Sequence, residues 1–393
     1  MNKKYYFSEV NRLLINDLFL LLIPIASIKL WSLNNSTIVF LTSTFTIGFI
    51  LFSKLSGKIT EKFNKLKIPI YSNVVFILIL ILFIIFTNLN IINNISLGFL
   101  IILCSFITSL LEVNTGIIIP TYFSKNLKEI NGNIQLIRSL VNFISPILAF
   151  AFSKNITFTF LVIIIISFIN ILLYKNMVFN IKEKCYIKNK PSVHNDPKMK
   201  SIFYIMQNKN LITSIISTIG INIAMTMITS TYIIYFMKNF EITENKIGIY
   251  LSIISLGGIL GSLFAKFIIN KVDFSILYKF SITLLSLPVI LSLFNYSLIF
   301  IIIGLFFSYF SRSYGSIFRT TIQQIEIDES RRSSVFSTIY MVTWGVIPLA
   351  GYLTSFLLNF ITIPSVINIA IIIFIISNIF YVFFCNSDKY LQI

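Results

Sequence analysis

Four ionisable side chains interrupt long apolar stretches of this sequence: Asp17, Glu112, Arg138 and Arg312. The stretch that precedes Glu112, residues 68–111, contains no Asp, Glu, Lys or Arg. A charge within hydrocarbon is costly, and such residues are by default candidates for proton transfer, gating or ligand binding. The chemistry that these residue types support is proton exchange at the carboxylates and ion pairing at the guanidinium groups.

Glu112 has two candidate partners, because Arg138 and Arg312 enter their own apolar stretches to comparable depths. A permanent pair with Arg138 would be structural and would neutralise two charges. A pair with Arg312 that forms in only one state would be a gate, and protonation of Glu112 would release it. Direct contact of Glu112 with a cationic substrate is the third alternative, and the sequence leaves all three open.

Asp17 lies in the first apolar stretch, where Arg12 is the only base within one or two helical turns. A carboxylate removed from water binds a proton more readily, so Asp17 is a candidate for proton exchange. The alternative is that Asp17 lies close to the lipid headgroups and is simply hydrated.

The composition indicates what surrounds these charges. Of the 393 residues, 56% are hydrophobic and 11% charged, whereas a soluble domain has about 25% charged residues. The mean hydropathy is +0.89, and apolar runs of about 20 residues, enough to cross a bilayer as a helix, recur along the chain. We therefore predict an all-α membrane protein with twelve transmembrane helices, at residues 8–32, 36–55, 68–88, 95–119, 131–153, 157–176, 211–237, 246–268, 275–294, 297–318, 334–358 and 361–384.

The basic residues predict the orientation. Most of the 31 Lys and Arg residues lie in the segments on one side of the predicted spans, and this excess marks the cytoplasmic side. We therefore predict a multi-pass protein of the cell membrane with both termini in the cytoplasm. The net charge of +17 is explained by this topology, so we predict no nucleic-acid partner.

A polar segment divides the predicted spans six and six. We predict an N-terminal six-helix bundle at residues 1–180, a cytoplasmic linker at 181–205 and a C-terminal six-helix bundle at 206–393. Residues 47–62 align without gaps on residues 256–271. This match favours two six-helix pseudo-repeats of parallel orientation.

The loop after the second predicted span has a distinctive pattern, Gly57-Lys-Ile-Thr-Glu61-Lys62-Phe-Asn64-Lys65. Gly57 permits a tight turn and a close helix approach, and Glu61 can pair with a helix end or a base. The pattern is similar to the corresponding loop of the major facilitator superfamily. Asn64 stands where that loop has its second glycine, and this departure is mild because Asn also tolerates left-handed backbone angles. The resemblance implies a loop that stabilises the state closed toward the cytoplasm. The alternative is a solvated basic loop.

Further segments resemble the exporting members of that superfamily. Residues 320–351, "TTIQQIEIDESRRSSVFSTIYMVTWGVIPLAG", look like the segment that joins helices ten and eleven in its drug- and siderophore-exporting branch. Residues 142–151, "NFISPILAFA", occupy the place of the antiporter Gly-Pro motif, although Ser145 and Ala149 stand where glycine is usual. An acid ahead of a proline in the first helix, here Asp17 ahead of Pro24, is also common in those exporters.

The resemblance implies a substrate cavity lined by helices four, seven and ten. Polar and aromatic residues on these predicted helices would suit an amphipathic molecule, although each is equally compatible with ordinary hydrogen bonding between helices. The candidates are Asn114, Asn222, Thr226, Tyr232 and Tyr309.

The sequence contains no phosphate-binding loop, HExxH motif or nucleophile elbow, and its single histidine, His194, lies in the predicted linker. We therefore predict neither an enzyme, a cofactor nor a metal site. The resemblance implies a monomeric secondary transporter that works by alternating access. We predict proton-coupled efflux, as in multidrug-resistance antiporters, of an antibiotic, siderophore or peptide-like molecule. The alternatives are a proton-coupled importer of the same fold and a non-transporting membrane protein that handles lipid or binds a partner.

Overall fold

A computed structural model describes residues 2–29, 35–89, 94–152, 155–181, 201–241, 244–268 and 297–384. These residues form α-helices joined by short connections. The helices are α1 Asn2–Lys29, α2 Asn35–Lys62, α3 Ile68–Asn88, α4 Asn94–Tyr122, α5 Leu127–Phe152, α6 Ile156–Ile181, α7 Ser201–Gln207, α8 Lys209–Asn239, α9 Glu244–Ile268, α10 Leu298–Glu326, α11 Arg332–Leu357 and α12 Ile363–Phe384. Single 3₁₀ turns, Ser124–Asn126 and Glu329–Arg331, precede α5 and α11.

Eleven of the predicted spans coincide with helices, and the twelfth, at 275–294, lies outside the described residues, as do His194 and most of the predicted linker. Within the described residues, eight helices are long and apolar enough to cross a membrane. The all-helical membrane prediction is therefore confirmed, while the count of twelve spans stays a prediction.

Several helices continue beyond their apolar stretch. α1 starts at Asn2 rather than at residue 8, and α2 reaches Lys62 rather than residue 55. α10 extends to Glu326, eight residues beyond the predicted end at 318. Hydrophobicity predicts where the bilayer lies and not where a helix ends, because polar residues also continue the intrahelical hydrogen bonds into the interface.

The described helices group into two compact units. Unit 1 comprises Met1–Phe123, Ile144–Tyr204 and Asp328–Met341. Its core contains Phe19 of α1, whose ring lies 5.8 Å from that of Phe45 and 5.6 Å from that of Phe76. Such aromatic contacts between α1, α2 and α3 hold the helices at fixed positions.

Unit 2 comprises Ser124–Phe143, Ile205–Ile327 and Val342–Ile393. Its apolar core brings together side chains of α8, α9, α10 and α12, including Met227, Ile254, Leu305 and Phe374. Each unit therefore contains most of one predicted half of the chain and a segment from the other. The predicted domain boundaries stay a prediction.

The aligned repeat positions have equivalent structural surroundings. A Cβ atom at Gly48 of α2 would clash with Ser105 of α4, and one at Gly257 of α9 would clash with the backbone of Phe306 in α10. Both glycines therefore allow the close approach of a helix pair at the same place in each repeat. This equivalence supports the parallel repeat that the sequence predicts.

Candidate functional site

A cluster of three buried charged residues joins α1 to α4 within unit 1. The guanidinium group of Arg12 lies 2.8 Å from Glu9 Oε2 and 2.9 Å from Glu112 Oε1. Its Nε also donates a hydrogen bond of 3.0 Å to Glu9 Oε2. The exposed fractions of Glu9, Arg12 and Glu112 are 0%, 4% and 3%, so this cluster is almost completely removed from solvent.

Helix geometry places the three side chains together. Glu9 and Arg12 are three residues apart and therefore share a face of α1, and α4 presents Glu112 to that face. Polar side chains of neighbouring helices complete the surroundings: Thr115 donates to Glu9 Oε1 at 3.5 Å, and the hydroxyl group of Tyr174 of α6 interacts with Glu9. The cluster is thus held by three helices of unit 1.

One guanidinium group bridges two carboxylates in the cluster. Taken by themselves, these three side chains carry one net negative charge when both carboxylates are ionised, and a single proton makes the group of three neutral. Burial makes the charge of such a group costly. The arrangement is therefore chemically suited to binding and releasing one proton.

A small cavity adjoins the cluster. Its polar lining consists of Arg12, Asn16, Asn73 and Thr108, and its volume is about 20 Å³. Thr108 Oγ1 donates a 3.2 Å hydrogen bond to Asn16 Oδ1. The rest of the lining is apolar, from residues such as Phe19 and Ile107. The volume is large enough for one water molecule, which would lie beside the side chain of Arg12.

In unit 2, the first half of α5 is joined to α10 by uncharged hydrogen bonds. Asn131 Nδ2 donates to Thr321 Oγ1 at 2.9 Å and to Gln324 Oε1 at 2.8 Å. Farther along α5, the hydroxyl group of Ser139 lies 3.3 Å from that of Ser313. We call these contacts the α5–α10 seam.

The segment around Gly57 lies in unit 1. Gly57 is buried within α2, and a Cβ atom there would lie 2.6 Å from Ser337 Oγ and 3.1 Å from the carbonyl oxygen of Ser333. The glycine therefore permits the predicted close helix approach, here between α2 and the start of α11. The predicted tight turn at Gly57 is wrong, because α2 continues to Lys62.

The loop that follows α2 is fixed by two asparagines. Asn64 Oδ1 accepts a 2.9 Å hydrogen bond from the backbone N–H of Leu66, and Asn114 of α4 donates one of 2.8 Å to the carbonyl oxygen of Lys65. Asn64 does not adopt the positive φ angle that favours glycine. Among the described non-glycine residues, only Glu241 has a positive φ angle. Asn64 therefore stabilises the turn through its side chain.

The charged residues of this loop remain near water. Glu61 and Lys62 are exposed. Partial burial lowers the pKa of Lys65 below its ordinary value, and the nearby carboxylates of Glu61 and Glu329 oppose that shift. Lys65 is thus a half-buried cation that two acidic side chains stabilise.

Solved structures identify the fold. No family model matches the sequence, and neither does any curated protein. A bacterial homologue of the iron transporter ferroportin in an outward-facing state aligns with 98% of this chain and 99% of its own, at 14% identity and a TM-score of 0.79. The E. coli fucose:proton symporter FucP, a Major Facilitator Superfamily transporter in the outward conformation, aligns with 97% of this chain and 98% of its own, at 16% identity and a TM-score of 0.72.

The chain has the major facilitator fold. A third structure with this fold, the human organic anion transporter MFSD10, gives a TM-score of 0.74 at 10% identity, over 97% of this chain and 98% of its own. At these identities the comparison establishes the fold and nothing finer. The predicted major facilitator fold is confirmed, and membership of the drug- and siderophore-exporting branch stays a prediction.

Within the major facilitator fold, Glu112 pairs with Arg12, a residue outside the two candidates, Arg138 and Arg312, that the sequence offers. The two are 100 residues apart in sequence, and an excess of basic residues near the ends of predicted spans is ordinarily explained by topology. A signal was available, since Glu9 and Arg12 both fall inside the predicted span 8–32 at a spacing that places them on one helix face. Pairing of Glu112 with Arg138 or Arg312, which belong to unit 2, stays a prediction.

The other predicted site residues have varied surroundings. Asp17 is half-buried on α1, and its role in proton exchange stays a prediction. Asn222 of α8 donates a 2.8 Å hydrogen bond to the carbonyl oxygen of Thr343, and Thr226 Oγ1 donates to the carbonyl oxygen of Asn222. Tyr309 packs against the apolar core of unit 2.

These contacts give Asn114, Asn222 and Thr226 structural hydrogen bonds, and the predicted substrate cavity stays a prediction. The side chain of Tyr232 lies outside the described residues. Among the residues that the structure describes, no group of three or more His, Cys, Asp or Glu side chains is placed to hold a metal ion.

Proposed function

We propose that this protein is a secondary active transporter that works by alternating access and exports an amphipathic small molecule in exchange for protons. The observation that carries the proposal is the buried cluster of Glu9, Arg12 and Glu112, in which one guanidinium group bridges two carboxylates. Such an intramembrane cluster on a transporter fold is most simply explained by a function that uses its charge.

The proton changes the contacts of Arg12. With Glu112 ionised, the 2.9 Å ion pair links α1 to α4. Protonation of Glu112 removes its charge, so Arg12 keeps Glu9 as its only ionised partner in the cluster and the link to α4 weakens. A link between two helices of one unit that depends on a proton is a two-state element, as coupling requires.

The conformational change would separate contacts that join the two halves of the sequence. The α5–α10 seam connects α5 of the first half to α10 of the second, and the close approach at Gly57 connects α2 to α11. For residues 1–180 to rock against 206–393, both sets of contacts must open and close. In the proposed cycle, these contacts belong to the state closed toward the cytoplasm.

Export is the direction that the sequence motifs favour, through the resemblance of residues 320–351 to exporting members of the superfamily. The alternative is proton-coupled import, which the fucose:proton symporter carries out on the same fold. The two directions differ in the pH gradient that drives substrate into a vesicle of known orientation.

Transport of an amphipathic anionic dye, 11-(dansylamino)undecanoate, into inverted membrane vesicles tests the proposal. We expect an acidic vesicle interior to drive accumulation of the dye, and we expect Glu112→Gln to lower the initial rate at least tenfold, because the substituted side chain cannot bind or release a proton. Glu241→Gln, which alters an exposed carboxylate between α8 and α9, is the matched control and should retain the rate.

Infrared difference spectroscopy provides a readout that does not depend on the choice of dye. A pH change should produce a protonated-carboxyl band in the wild-type protein that Glu112→Gln alters. Accumulation driven by the opposite gradient would support import instead. A rate that Glu112→Gln leaves unchanged, together with an unchanged carboxyl band, would exclude proton coupling at this cluster.

A further inference from the structure

We propose that unit 2 contains a binding site for an anionic group, a carboxylate or phosphate of the transported molecule, between Arg138 of α5 and Arg312 of α10. The anion-binding property stands on its own geometry. Its assignment to the transported molecule rests on the proposed transport function.

The hydrogen bonds of the seam fix the relative direction of the two helices. Asn131, near the start of α5, contacts Gln324, near the end of α10, whereas Ser139, farther along α5, contacts Ser313. Residue numbers therefore rise along one helix as they fall along the other. α5 and α10 run antiparallel at this contact.

This direction places both arginines on one side of the helix pair. Each arginine immediately precedes a serine of the 3.3 Å contact between Ser139 and Ser313, and successive residues of an α-helix are rotated by about 100°. In an antiparallel pair of helices, two residues that each precede a facing residue by one position point toward the same side of the pair. Arg138 and Arg312 consequently project from the same side of the α5–α10 seam.

Electrostatics agrees with this placement. Among the described residues, the titratable groups that act on Arg312 are Tyr309 and Arg138, neither of which is a carboxylate. Both arginines are half-buried within a membrane protein, where two like charges repel more strongly than in water. An anion that contacts both guanidinium groups is attracted by each of them.

The surrounding groups are suitable for an oxyanion. Guanidinium groups bind carboxylate and phosphate oxygens in a bidentate manner, and hydroxyl groups lie beside them: Ser139 contacts Ser262 at 3.2 Å and Ser313 at 3.3 Å. Gly258 of α9 packs closely against these hydroxyl groups, since a Cβ atom there would lie 3.0 Å from Ser313 Oγ and 3.2 Å from Ser139 Oγ. Charge, hydrogen-bond donors and small residues therefore meet at one place.

The site specifies the chemical class of the substrate. A molecule held by two guanidinium groups bears a negative charge, so the substrate of this protein is an amphipathic acid. Contact of Glu112 with a cationic substrate, one of the alternatives that the sequence left open, is disfavoured by this assignment.

A pair of dansyl probes that differ only in charge tests the site. The purified protein in phosphatidylcholine nanodiscs is titrated with 11-(dansylamino)undecanoate and with its uncharged methyl ester, and binding is followed by dansyl fluorescence. We expect the carboxylate to bind the wild-type protein at least tenfold more tightly than the ester. Equal affinities of the two probes would overturn the proposal.

Variants assign the preference to the two arginines. Arg138→Gln and Arg312→Gln should each abolish the preference for the carboxylate, while Arg312→Lys should retain part of it and shows that the unit still folds. Lys266→Gln, which removes an exposed positive charge from α9 of the same unit, is the control and should keep the preference. A preference that survives both glutamine variants would contradict the site.

Lipid composition distinguishes the source of the anion. If phosphatidylglycerol nanodiscs abolish the carboxylate preference, a lipid headgroup occupies the site and its assignment to the transported molecule is wrong. A preserved preference supports a site for the transported molecule. Binding with no proton-driven transport in vesicles would contradict the proposed function and leave the anion site standing, so the two failures are distinguishable.

Discussion

Arg12 determines whether the charge cluster of unit 1 is stable. Its guanidinium group is bonded to both Glu9 and Glu112, at distances of 2.8 and 2.9 Å. Removing one member of a buried ion pair is more harmful than removing the whole pair, because the partner is left with its desolvation penalty and no compensation. Removing Arg12 alone should therefore destabilise the protein more than removing all three charges together.

Arg12→Met is expected to destabilise the protein by about 3–5 kcal/mol at neutral pH, the range measured when one partner of a buried pair is removed. Protonation removes the stranded negative charges, so lowering the pH should recover part of the loss. The thermal unfolding midpoint in detergent, compared between variant and wild type from neutral to acidic pH, reports this trend.

The matched comparison is the triple substitution Arg12→Met, Glu9→Gln and Glu112→Gln. It removes all three charges together and should recover most of the unfolding midpoint at neutral pH. A triple variant as unstable as Arg12→Met alone would show that packing around Arg12, rather than its charge, stabilises this part of unit 1.

At the scale of elements, the close approach of α2 and α11 depends on the absence of a side chain at Gly57. A Cβ atom there would lie 2.6 Å from Ser337 Oγ and 2.8 Å from Ser337 Cβ, so a neighbouring helix must move to admit it. Overpacking of this kind costs about 1–3 kcal/mol. Gly57, the first residue of the loop motif, therefore forms part of a contact between two helices.

Gly57→Ala should lower the thermal unfolding midpoint, and Ser337→Gly combined with it should restore much of the difference, because the second substitution removes the two nearest atoms. Gly98→Ala of α4 is the control, since a Cβ atom at Gly98 meets nothing within 4 Å. Equal effects of the two alanine substitutions would indicate that lost backbone flexibility, and not the α2–α11 contact, explains the result.

The helices were predictable because their signal is local. Runs of apolar residues about 20 long determine each span, and the same reasoning identified Glu112 as a residue that needs explanation. The partner of Glu112 was not predictable in this way: Arg12 is 100 residues away, and the contact depends on how α1 packs against α4. The helix extensions to Lys62 and Glu326 were missed because a hydropathy pattern carries no information on polar helix ends.

At the scale of the whole molecule, the two units do not coincide with the two halves of the sequence. Residues 124–143 of the first half belong to unit 2, and residues 328–341 of the second half belong to unit 1. The α5–α10 seam is one of the contacts that this exchange creates. Alternating access by rocking of the two halves requires the seam to open, whereas contacts between helices of one half need not change.

Cysteine cross-linking separates these two kinds of contact. In a background without the native cysteines, Ser139→Cys with Ser313→Cys replaces hydroxyl groups 3.3 Å apart across the seam. Ser53→Cys with Ser109→Cys replaces hydroxyl groups 3.4 Å apart between α2 and α4, both from the first half. Oxidation should form a disulfide in each variant, and the extent of reaction is measured by mass spectrometry.

We expect the seam disulfide to abolish dye transport in inverted vesicles and dithiothreitol to restore it, because the covalent bond holds together two helices that must separate. The disulfide between α2 and α4 should leave most of the transport rate intact, since these helices move as one body. Undiminished transport with a quantitatively formed seam disulfide would contradict the rocking of the two halves at this contact. The same disulfide should also slow release of the anionic dansyl probe, because Arg138 and Arg312 flank the bridged residues.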